Sequence, residues 1–425
     1  MSDGACPPWD RESRVVSIKS DSVSRKLGHS VEKTHPRHRT FRSRGDPVSR
    51  ARAREPISAA LMSRSAVAER LPLSALLSQA LVAFTIELDN AWEFEMPHRT
   101  TRYGGSRAAP YATSLRQWSN FMRVLDAQGL TVAELERRTH AKPQLDAMRR
   151  WGYVTVGPAR DDGREKPPQR EYLVVPTRAG RCAQEVWRPL PEAMEARWRE
   201  RFGVAEVGEL RASLQVLSEP LGGELPQFLT TFYGGYATQP GLGLADGTED
   251  PLSLSALLSQ ALHAFALEYE RDARASLCFS ANVLRLLDED EPVQIRQLPR
   301  RSGVAIESIR VAVGILDRRG FITVASDPGA RGKHARLTGK GLQARDLYRV
   351  LPDEIEARWS ARFGESTVRR LRALLETLAT PSGGERAPLW LGLEPPPSTW
   401  RTEVPRPEVL LHFPMPRQGG HPDGV

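Results

Sequence analysis

The nonapeptide LSALLSQAL occurs twice in this chain, at Leu73–Leu81 and again at Leu254–Leu262. Two later blocks return in the same order. ARWRERFG at Ala196–Gly203 recurs as ARWSARFG at Ala357–Gly364, and LRASLQVL at Leu210–Leu217 recurs as LRALLETL at Leu371–Leu378. Ordered recurrence of this kind means two copies of one folding unit. Each copy spans about 130–150 residues, the size of a domain rather than of a solenoid repeat. The chain is therefore read as a duplicated domain, and differences between the copies show what each has kept.

Composition narrows the class. The 425 residues leave room for two copies and tails. No apolar run approaches the roughly 18 residues that span a bilayer, so no membrane partner is expected. Cys6, Cys182 and Cys278 lie far apart without CxxC spacing. That is the pattern of a reduced, cytoplasmic protein with no disulfide frame and no zinc site, and it makes Cys182 and Cys278 core residues. The net charge of +8 suggests nucleic acid, but thirteen Lys and Arg against seven Asp and Glu fall within residues 1–61. The rest is close to neutral, so a DNA-binding reading must rest on local clusters.

Residues 1–66 are rich in Arg, Ser and Pro and read as a disordered basic tail. They are an arm that grips phosphate, sequence upstream of a true start at Met62, or an ordinary solvated tail. The first copy is read over 67–218, a Gly/Pro-rich linker over 219–251, the second copy over 252–379, and an extended Pro-rich tail over 380–425. In the first copy, Leu73, Leu76, Leu77, Ala80, Leu81 and Phe84 build one helical face. Tyr153–Val156 and Tyr172–Val175 read as a hairpin around a charged loop. Further helices run from Arg178 to about Trp187 and from Glu192 to Leu217, the latter interrupted near Gly203. Aromatic residues are expected to anchor the linker (Phe228, Phe232, Tyr233, Tyr236) and the tail (Trp390, Trp400, Phe413).

The chemistry is concentrated at Val293–Gly320 of the second copy. Ile295 and Leu298 mark a short helix, Ser302-Gly303-Val304 a tight turn, and Ile309, Ala312, Val313 and Leu316 the inner face of a second helix. That leaves Ile306, Glu307, Ser308 and Arg310 for its outward face near the N-terminus. In a helix-turn-helix these positions meet base edges in the major groove, where arginine can donate two hydrogen bonds to guanine. A short strand, Phe321–Val324, and a returning strand, Ala335–Thr338, follow as a wing. Arg331, Lys333, His334 and Arg336 lie along it and suit phosphate, which fixes register more than sequence.

The series helix-turn-helix, LDRRGFI, a DPxxR wing, then Leu337-Thr338-Gly339-Lys340-Gly341 entering a long helix resembles the MarR family of bacterial winged-helix regulators. The resemblance covers about Leu252–Leu378 closely and Leu71–Leu217 more loosely. It implies DNA binding by the second helix and wing, with Arg310 reading a base and Arg331 at the wing tip. It also implies helical dimerisation through the first and last helices, and in some members a small-molecule effector. The chain departs from the family's Asp-Arg-Arg wing core, since Gly329 and Ala330 stand between Asp327 and Arg331.

The expected fold is mainly α with small β-hairpin wings, as two tandem winged helix-turn-helix domains with long flanking helices. The first copy departs further: between matched anchors it is shorter, and Pro143 leaves its reading helix about two turns. Its wing still carries Arg160, Arg164, Lys166 and Arg170. Trp92, His98 and Arg99 mark a candidate effector crevice. No GxGxxG, P-loop, HExxH, GxSxG or paired-carboxylate arrangement rises above chance, so no enzyme, cofactor or metal is expected. The expected function is transcription regulation on double-stranded DNA, by an intramolecular pseudo-dimer or a homodimer. The alternative is a winged-helix protein that has lost DNA recognition and binds a protein or small ligand.

Overall fold

A computed structural model describes residues 70–96, 100–101, 110–111, 121–140, 143, 145–159, 167–221, 225–228, 252–326, 332–381, 386–397, 400–403 and 407–415. Among the described residues the fold is mainly helical, with two small three-stranded antiparallel sheets and one two-residue pairing of β1 (Thr100–Thr101) with β2 (Pro110–Tyr111). The first half contains α1 (Leu73–Glu95), β3 (Leu130–Thr131), α2 (Val132–Thr139), α3 (Leu145–Arg150), β4 (Val154–Gly157), β5 (Leu173–Pro176), α4 (Arg178–Trp187), α5 (Leu190–Phe202) and α6 (Val204–Ser218). The second contains α7 (Leu254–Asp272), α8 (Leu277–Asn282), β6 (Val293–Gln294), α9 (Leu298–Ser302), α10 (Ile306–Arg318), β7 (Ile322–Ser326), β8 (Lys333–Leu337), α11 (Gly339–Phe363) and α12 (Glu365–Ala379). The strand orders correspond: β3-β5-β4 in one half and β6-β8-β7 in the other.

The conserved words of the repeat fold into the same contacts in both halves. Phe84 packs edge-on against Trp198, and the equivalent Phe265 packs against Trp359. The Trp198 indole donates to Glu87 and the Trp359 indole to Glu268, each at 3.0 Å. At the foot of each sheet a threonine, Thr177 or Thr338, caps the following helix through its hydroxyl and donates to a carbonyl of the glycine that opens the strand. Gly180 and Gly341 then pass so close to a carbonyl, of Tyr153 and Phe321, that an added Cβ would sit at 2.1 and 2.0 Å. No side chain fits there.

The four repeat-defining helices bury their apolar faces on one another. α1 packs on α7, α6 on α12, α1 on α12 and α6 on α7. The contacts are reciprocal down to single bonds. Arg211 of α6 ion-pairs with Glu195 and donates to the carbonyl of Leu252, which opens the second half. Arg372 of α12 ion-pairs with Glu356 and donates to the carbonyl of Leu71, which opens the first. A contact that recurs with the roles of the halves exchanged is the mark of a two-fold interface, here within one chain.

The halves also differ. Pro189 and Pro191 separate α4 from α5, whereas α11 runs through its single Pro352. One proline removes one donor; two within three residues end the helix. α1 is enclosed on nearly all sides, because the C-terminal segment lies across it. Ser78 donates to the carbonyl of Leu411, Asn90 to that of Leu393, and Arg401 to the Asn90 side chain. Phe413 anchors this segment, being fully buried, as does Phe228 in the linker. Phe232, Tyr233 and Tyr236 lie outside the described residues. Cys278 is buried and carries no disulfide. Cys182 is also buried but disulfide-bonded, against the expectation that all cysteines are reduced.

Candidate nucleic-acid interface

The second half joins α9 and α10 by a tight turn and follows them with the paired strands β7 and β8. α9 ends because Gly303 adopts a left-handed conformation, φ +76°. The Ser302 hydroxyl donates to Leu298 O at 2.7 Å and accepts from Val304 N–H, closing the turn. α10 follows for 13 residues with Ile309, Ala312, Val313 and Leu316 buried. Gly320, φ +70°, lets the chain leave α10 and enter β7. Lys340 donates to the Arg319 carbonyl at 2.8 Å and lies 4.2 Å from the Phe321 ring centre, so the base of the ribbon is fastened to α11.

The expected base-reading residues divide. Arg310 is exposed, and Ile306 and Glu307 are half-buried beside it. Ser308 is corrected: it is 7% exposed and faces the core. Its spacing explains this, because Ala312 and Leu316 lie four and eight residues on, along the buried stripe. Val311 takes its place on the outward face, 53% exposed, and was missed because an apolar residue is assigned inward by default. The exposed Arg310–Val311 pair combines a hydrogen-bonding fork with a methyl-bearing surface. Those are the two chemistries that distinguish guanine and thymine edges.

On the ribbon, Ser326 faces Lys333 at the tip and Ile322 faces Leu337 at the base. Lys333 is exposed at the tip. His334 is half-buried where β8 pairs with Gln294 of β6. Arg336 is exposed but lies toward the base and donates to the Asp290 carbonyl at 2.9 Å. That bond braces the acidic loop Asp288–Glu291. In that loop the Asp288 carboxylate is held below its usual range by the N–H groups of Asp290 and Glu291. Arg331 lies outside the described residues.

In the first half α3 is six residues long with Met148 alone buried, and Arg149 and Arg150 are exposed. His140, rather than glycine, takes the left-handed turn position. Arg170 is exposed on a short 3₁₀ turn before β5. Arg160, Arg164 and Lys166 lie outside the described residues. For the effector crevice, Trp92 is fully buried in the core and His98 and Arg99 are outside the described residues, so the three are not seen to converge. Among the described residues no helix is long and apolar enough to cross a membrane, and no cluster of His, Cys, Asp or Glu is placed to hold a metal ion. No family model, curated protein or solved structure matches the chain.

Proposed function

We propose that this chain is a MarR-like regulator of transcription, a tandem of winged helix-turn-helix units in which the second reads double-stranded DNA. The observation that carries this is Arg310 and Val311, exposed on a well-anchored 13-residue helix with the Lys333 ribbon fixed beside it. In this reading α10 enters the major groove and Lys333 meets phosphate. The six-residue α3 presents too little helix to read a groove, so the first unit serves mainly as scaffold. No effector site is part of the proposal, since buried Trp92 lends it no support.

A second reading has its own support. Arg336 is bound to the acidic loop and Arg300 to Glu408, so part of the basic surface is already occupied. A protein that kept the fold but lost DNA recognition would look like this. Enrichment of duplexes from a random pool by the full chain, at low and at moderate salt, separates the two. A regulator enriches one site that survives the salt increase. A body with only phosphate attraction retains nothing once counterions compete, and no enrichment favours the second reading.

A further inference from the structure

We infer that Arg300 is a DNA-phosphate contact held in reserve by Glu408, a carboxylate that the C-terminal segment delivers to the reading unit as a competing anion. This rests on the DNA-binding reading above and adds a contact residue and its regulation. Arg300 lies on α9, the helix before the turn, and in a helix-turn-helix that helix crosses the sugar–phosphate backbone. Its side chain is 82% exposed, and its Nε donates to Glu408 Oε2 at 2.9 Å. One residue on, the Val409 carbonyl lies against Gly303 so closely that a Cβ there would stand 2.1 Å away.

Glu408 is not a chance surface neighbour, because the chain that follows it is fastened. Leu410, Leu411 and Phe413 are buried, Ser78 donates to Leu411 O at 2.8 Å, and Asn282 donates to Phe413 O at 2.8 Å. The segment therefore joins α1 of the first half to the turn of the second and sets a carboxylate on a guanidinium that would otherwise face the duplex. A pair this exposed is weak and salt-screened, so a phosphate can displace it while Leu411 and Phe413 stay seated. Any event that lifts residues 408–411 would free Arg300 for DNA.

The test uses the full chain with Glu408→Gln, Arg300→Gln and the double variant, titrated with an enriched duplex and a random one at two salt concentrations. Glu408→Gln should tighten both by about threefold or more at low salt and steepen the salt dependence by about one phosphate contact. In the Arg300→Gln background the same change should do nothing, which separates the specific pair from a general change in net charge. If the wild type binds its site but Glu408→Gln matches it, or if the gain persists without Arg300, the inference falls and the DNA reading stands. If neither wild type nor Glu408→Gln binds duplex at either salt, both fall.

Discussion

Glu87 is 3% exposed and held by three donors: the Trp198 indole and both terminal nitrogens of Arg201, at 2.7 and 2.9 Å. Its equivalent Glu268 keeps the indole bond, but Arg358 and Arg362 reach it only at 3.8 and 3.7 Å from half-exposed positions. The same letters thus carry different energies. Arg201→Ala strands a buried carboxylate and should cost about 3–5 kcal/mol. Arg362→Ala removes a solvated partner and should cost less than about 1 kcal/mol. Denaturant unfolding of both variants checks this; equal losses would contradict the asymmetry. Residue-level reading of α10 placed Arg310 on the exposed face, where it lies, and misplaced Ser308 and Val311 for one reason. Polarity was used to assign a face where the four-residue spacing to Ala312 already assigned it.

The long elements were legible because they carry the repeat and a sustained apolar period; α1, α7, α6 and α12 fall where the sequence blocks lie. β3 and β6 were not, since two residues cannot show alternation, and their pairing partners β5 and β8 are distant in sequence. The interdomain grip of Arg211 and Arg372 was equally hidden, because the acceptors are backbone carbonyls with no side-chain signature. The tail was read as extended with aromatic anchors, but its path over α1 and Gly303 follows from shape alone. One trace was available: Gly-Gly-Glu at 222–224 recurs at 383–385, ahead of buried Phe228 and Leu389. Within this segment His412 is buried, its Nδ1 lacks a hydrogen-bond partner among the described residues, and its pKa is lowered to about 3 by burial and then by Arg285. The folded value lies below the unfolded one, so the segment is most stable above about pH 6.5. It loses up to about 1.4 kcal/mol per pH unit as pH falls toward 3. Hydrogen exchange should show residues 408–415 opening at pH 4–5 before the helices do. Simultaneous opening, or no change, would refute this.

At the scale of the whole molecule, the apolar faces of the four repeat helices are spent inside the chain. α1, α6, α7 and α12 cover one another with reciprocal contacts. The full chain should therefore sediment at the mass of one molecule at micromolar concentration; a stable dimer would show that another surface is used. If the proposed DNA binding holds, one long and one short helix predict a site without palindromic symmetry. The repeated blocks were readable in the sequence, whereas the mutual packing of the four repeat helices appears only in the structure. The central claim is that α10 reads bases through Arg310, and titration of the full chain and Arg310→Ala against an enriched and a random duplex tests it most directly. The account predicts that the variant loses about 1–3 kcal/mol on the enriched site and little on random DNA. Equal weakening on both, or no weakening, would contradict it.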